Sequence, residues 1–319
     1  MIRTSHYLFA ALCLGSLFAC SRQFTDSYIV PKWCFAVFML FIVLAYEAVN
    51  ILFYRQNEQK DTRISVYGFI IVISCFLQAM FGVVQFFGFF QISTTLWVTG
   101  SFDNPAGFAA CLCAGFPFVG FLLSDSNKYI RYVGGLIGFV IVIAVILSQS
   151  RAGIMSIAFI CFILLNMKFF HKRWVKYLSL LCFALLLSGC YWMKKDSADG
   201  RLLIWRCSVS MVKDAPWLGH GIGSFEARYM DYQADYFRQY GLNRYSMLAD
   251  NVKHPFNEYL GVLLNFGFVG LLMILALITL LIYCYKKHPC AEKRIAFYSL
   301  ISIGVFSFFS YTFTYPFTW

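Results

Sequence analysis

Four short stretches of the sequence set basic, imidazole or carboxamide side chains beside long apolar runs: "GSFDNPAG" (100–107), "SQSRAG" (148–153), "GRLLIW" (200–205) and "HPFNEY" (254–259). Arg151 and Arg201 each carry a planar guanidinium whose fork matches phosphate oxygens, so the two together suit a diphosphate. Each also reads as a snorkelling or solvated charge at a membrane surface. His254 supplies the side chain best suited to take a proton near neutral pH, the task that activating a hydroxyl sets. Its plainer reading is an interfacial cap, since Pro255 is expected to open a helix with His254 at its end. Asn257 and Glu258 then fall on the first turn. Asp103 and Asn104, before the helix-starting Pro105, can bond a sugar or steady an arginine. "GHGIGSF" (219–225) resembles a phosphate-cradling loop only weakly, and a plain turn with His220 as a minor candidate is the better reading.

The elements that position these residues follow from composition. The 319 residues are 60% hydrophobic and 13% charged, with a mean hydropathy of +0.68. That balance belongs to an integral membrane protein. Nine apolar runs approach spanning length, near 7–20, 33–53, 64–90, 105–123, 130–148, 152–170, 177–193, 258–285 and 295–317. The expected fold is therefore all-α, a polytopic bundle of about nine transmembrane spans with a helical loop domain. Its divisions are 1–193 (spans one to seven), 194–253 (the loop domain) and 254–319 (spans eight and nine). The first run ends "LFAC", which mimics a cleavage site at Cys20, yet the charge pattern works with this run retained.

With the N-terminus inside, fourteen Lys and Arg fall on cytoplasmic segments and only Arg22, Lys32 and Arg151 on short outer ones. The net charge of +11 is thereby explained by topology, and nucleic acid is not needed as a partner. All four chemical stretches then share one outer face. The apolar and aromatic residues of 194–253 argue for a folded cap on the membrane, with helices near 200–213 and 224–239. Leu202, Trp205, Val209 and Val212 recur at helical spacing, and Arg201 sits where Asp199 and Gly200 suggest a helix start. Most of the twelve cysteines lie in apolar runs and no spacing suits a metal, so neither a disulfide nor a metal or other cofactor is expected.

Taken in order along the chain, these motifs resemble the O-antigen ligase family, which includes O-antigen polymerases and O-linked oligosaccharyltransferases. The likeness covers most of residues 60–285. It implies a metal-independent glycosyltransferase of the inner membrane, with its active site periplasmic. The donor would be an undecaprenyl diphosphate-linked glycan and the acceptor lipid A-core or a similar lipid or glycan. The family's two carrier-binding arginines match Arg151 and Arg201, the latter with Trp205 in an R-x-x-x-W pattern. Asn104 and Asn257 join them as substrate-binding candidates and His254 as the catalytic base. The sequence departs from the family where Phe256 takes the usual histidine position beside Asn257. Family members also continue beyond a segment such as "YTFTYPFTW".

Three other readings stay open. A polymerase would use the same chemistry with a carrier-linked acceptor. A transporter or flippase would favour charges near the bilayer midplane, of which the runs hold few. An inactive remnant would keep the fold without the transfer.

Overall fold

The computed structural model describes residues 4–53, 61–89, 98–168, 172–193, 195–287 and 290–318. The charges at Arg3, Arg55 and Lys60 that entered the topology lie outside them. The fold is all-α, with no strand among the described residues. In chain order the helices are α1 (Thr4–Phe18), α2 (Ile29–Phe53), α3 (Asp61–Phe86), α4 (Pro105–Gly115), α5 (Val119–Leu123), α6 (Lys128–Leu147), α7 (Arg151–Lys168), α8 (Arg173–Met193), α9 (Lys195–Asp214), α10 (Ser224–Tyr240), α11 (Glu258–Lys287) and α12 (Ala291–Phe309).

Among the described residues, six helices are long and apolar enough to cross a membrane: those within α2, α3, α4 to α5, α6, α8 and α11. The expected count of nine is therefore not reached. Thr4–Phe18 and Arg151–Met167 are apolar but shorter than a full span. The remaining segment, α12, carries Glu292, Lys293 and Arg294 in its first turn, which shortens its charge-free stretch.

The chain forms two compact units. One contains residues 1–160, 290–306 and 312–319, the other 161–289 and 307–311. In the first unit α1 packs closely on α2, because Gly15 leaves its place to the Phe35 ring. Lys32 is one of the three charges that the topology counted on short outer segments. It lies in the first turn of α2, fully buried, and its ammonium donates to the carbonyls of Leu17 and Ala19 at the end of α1. The last carbonyls of a helix lack intrahelical donors and attract a cation, so burial of this lysine is compensated. In the same unit Pro117 cannot donate to the carbonyl of Cys113 four residues earlier. The Ser302 hydroxyl donates to that oxygen at 2.8 Å, and Ser299 donates to Ala114 O at 2.5 Å. In an apolar surrounding each carbonyl left open would cost several kcal/mol.

The second unit holds the loop helices. Leu203, Ile204, Cys207 and Met211 of α9 form a buried core with Phe225 and Tyr229 of α10, Tyr245, and Leu264 of α11. Of the apolar face expected on this helix, Leu202, Trp205 and Val212 pack partly buried against this core, while Val209 is exposed. Burial pushes the Cys207 thiol up to about 11, which keeps it a small hydrophobe rather than a nucleophile.

Candidate active site

In the first unit "GSFDNPAG" is built around one carboxamide. Gln85 of α3 clamps the preceding turn: its side-chain oxygen accepts from Thr99 N at 3.2 Å and Gly100 N at 2.7 Å, while its nitrogen donates to Gly100 O at 2.9 Å. Asn104 caps α4, its oxygen accepting from Ala106 N at 2.8 Å and Gly107 N at 3.0 Å. Such a cap is worth about 1 kcal/mol. Its nitrogen donates to Asp103 and to the Tyr315 hydroxyl, both at 2.7 Å. That hydroxyl donates onward to the other Asp103 oxygen at 3.2 Å. All four bonding positions of the Asn104 amide are thus engaged within the protein. Burial raises the Asp103 carboxyl, against the lowering effect of the bonds from Asn104 and Tyr315. Gly107 makes room for Tyr315, because a Cβ there would stand 2.5 Å from the phenol carbon.

Also in the first unit, α6 and α7 are joined by Gln149, whose φ of 52° places a non-glycine residue in the left-handed region. Such a backbone costs on the order of 1 kcal/mol and recurs at functional turns. Ser150 accepts from Gly153 N at 3.3 Å, and Arg151 opens the helix half-buried. A cation at the positive end of a helix dipole is unfavourable by a few tenths of a kcal/mol unless an anion shares the place.

The second unit brings Arg201 and His254 onto one aromatic row. The Arg201 guanidinium lies 5.0 Å from the centre of the Phe256 ring, and one of its N–H groups donates to Phe309 O at 2.6 Å. Phe256 meets Tyr311 edge-on at 5.4 Å, and the His254 ring stacks on Tyr311 at 4.6 Å. Phe256 has a φ of 51°. This conformation turns its ring between the guanidinium and the phenol, where the cation–π contact returns about 0.5–2 kcal/mol. Trp205 fastens the same loop by donating from its indole to Pro255 O at 3.0 Å, and its ring meets Phe308 at 6.0 Å.

Two local expectations are corrected. Arg201 does not open a helix, since α9 begins at Lys195, so the main-chain N–H groups beside it belong to a continuing helix. His254 does not sit at the cap of α11. That place belongs to Asn257, which is buried and accepts from Leu260 N at 3.1 Å before the helix starts at Glu258. Pro255 precedes the helix by three positions and restricts His254 instead. Trp205 and Asn257 therefore anchor the loop, while Arg201 and His254 flank the row. Tyr311 and Phe256 were not found as site residues. Nothing in "YTFTYPFTW" has a motif to report, whereas the break from the family pattern at Phe256 was a visible signal.

A family model described as O-antigen ligase matches residues 136–275. Over this segment the chain is similar to the O-antigen ligase family. The match contains Arg151, Arg201, Trp205, His254, Phe256 and Asn257, so the O-antigen ligase resemblance read from the motifs is upheld over this region. It supports ligase- or polymerase-type function in general terms for a multi-pass membrane protein. No curated protein and no solved structure is significantly similar to the chain.

Proposed function

We propose that the protein is a metal-independent glycosyltransferase that moves a glycan from undecaprenyl diphosphate to lipid A-core or a similar acceptor at the periplasmic face of the inner membrane. The observation that carries this reading is the row Arg201, Phe256, Tyr311, His254, which keeps an anion-binding fork and a proton acceptor on one support within the family-matched region. The acceptor oxygen attacks the anomeric carbon, the bond from that carbon to the diphosphate oxygen breaks, and His254 takes the hydroxyl proton. Undecaprenyl diphosphate departs with the bonding electrons. Arg201 supplies positive charge where negative charge develops on the leaving diphosphate, the place where fixed electrostatics accelerates a reaction most, and the family pattern proposes Arg151 for the same role.

The test is transfer in vitro from a purified undecaprenyl diphosphate glycan to lipid A-core. Arg201→Ala and Arg151→Ala are expected to abolish transfer while the protein stays inserted, and a chelator is expected to leave the wild-type rate unchanged. Unaltered transfer by both arginine variants would remove the site. A product in which glycan is joined to carrier-linked glycan would identify polymerase chemistry instead.

A further inference from the structure

The turn between α9 and α10 is joined to α11 by four main-chain hydrogen bonds. Gly267 interrupts α11 with φ 60° and ψ −159°. Into that break His220 N donates to Leu264 O at 2.7 Å and Gly221 N to Asn265 O at 3.1 Å. In return Phe268 N donates to Pro216 O at 2.8 Å and Val269 N to Trp217 O at 3.2 Å. A Cβ on Gly267 would stand 2.3 Å from the Trp217 carbonyl, and one on Gly219 2.6 Å from the Asn265 carbonyl carbon. The depth of the turn in the membrane is therefore fixed by α11.

That depth follows from charge and length. Lys286 and Lys287 end α11 and mark one membrane boundary. Of the uncharged run from Tyr259 to Tyr285, the part counted back from Lys286 to Phe268 covers about 27 Å as a helix, close to a hydrocarbon core of about 30 Å. Gly267 consequently lies at the opposite boundary. Beside it the Trp217 ring meets Phe268 edge-on at 6.1 Å. Trp217, Leu218 and Ile222 are 69%, 74% and 84% exposed, and Phe266, Phe268 and Val269 of α11 are exposed next to them. Behind the turn His220 faces inward. Its Nε2 bonds Met211 O at 2.7 Å, and because a carbonyl only accepts, Nδ1 accepts from the exposed Arg228 at 3.0 Å.

We infer that residues 216–222 form a lipid anchor, which sinks Trp217, Leu218 and Ile222 into the headgroup–acyl boundary of the bilayer beside the Gly267 break and sets Arg228 at phosphate level. The occupant is lipid because the patch continues the face of a helix that is itself apolar over a full core thickness, and because an indole at this depth suits the interface. The proposal does not depend on the transfer reaction.

The full chain is reconstituted in phosphatidylcholine bilayers with acyl chains brominated near the headgroup end. Seven tryptophans emit, so the Trp217 component is taken as wild type minus Trp217→Phe, a change that keeps a ring against Phe268. Loss of this component in brominated lipid, with little loss to aqueous acrylamide, is expected. A second reporter, Ile222→Trp in the Trp217→Phe background, replaces a side chain that packs on little and is expected to lose emission likewise. Acrylamide quenching without bromine quenching in both reporters would overturn the proposal. Protection from both quenchers would overturn it too, in favour of a protein partner on this face.

Discussion

The imidazole of His254 lies nearly flat on the phenol of Tyr311, with ring centres 4.6 Å apart and planes 20° from parallel. The contact fixes the ring plane of His254 and leaves its nitrogens at the rim. Removing the base in His254→Ala is expected to lower transfer about 10²- to 10⁴-fold. Tyr311→Phe keeps the stack and should stay near wild type, whereas Tyr311→Ala should fall between the two. Initial rates across pH check this, because the positioning change should alter the rate more than the substrate dependence.

Trp205 is expected to act through Pro255. Trp205→Phe removes the indole bond to Pro255 O and is expected to cost about 1 kcal/mol. Thermal denaturation in detergent would report the loss. If the melting temperature is unchanged while transfer falls, Trp205 touches substrate and the anchoring role is wrong.

Gly219→Ala and Gly267→Ala each place a Cβ inside 3 Å of main chain at positive φ. Each is expected to destabilise by more than about 1 kcal/mol. Gly189→Ala, in α8 with open space around its Cβ position, is expected to be neutral or stabilising by up to about 1 kcal/mol. Melting curves of the three variants, measured in one detergent, decide.

Alkaline pH should loosen the loop helices through Tyr232. Its hydroxyl donates to Asp214 at 2.5 Å, and this bond, ahead of burial, pushes the phenol up to about 12. A group raised on folding stabilises fully below its ordinary value near 10 and loses that contribution as pH rises through the folded value. Wild type is therefore expected to lose stability more steeply than Tyr232→Phe between pH 10 and 12. Parallel melts over that window test it.

The helices were legible because their signals are local. The apolar runs at 105–123 and 130–148 fall on α4 to α6, and the polar helices expected near 200–213 and 224–239 lie within α9 and α10. What escaped depends on contacts distant in sequence. Tyr315 reaches Asn104 across 211 positions and Arg201 reaches Phe309 across 108, and no periodicity encodes either. The burial of Lys32 escaped for a related reason. A charge beside an apolar run reads as a boundary unless the open carbonyls that receive it are known. Of the candidate site, residue types were readable, while the row on which two of them sit depends on the left-handed turn at Phe256.

The seam between the 216–222 turn and α11 has a mechanical consequence. A side-chain contact can slip as packing adjusts, but four peptide hydrogen bonds across two glycines behave as a rigid hinge plate. Helices tilt to match the thickness of the bilayer they cross. Any tilt of α11 is passed to the turn, and through it to α10, which starts at Ser224. Bilayer thickness thereby sets the attitude of the whole loop assembly.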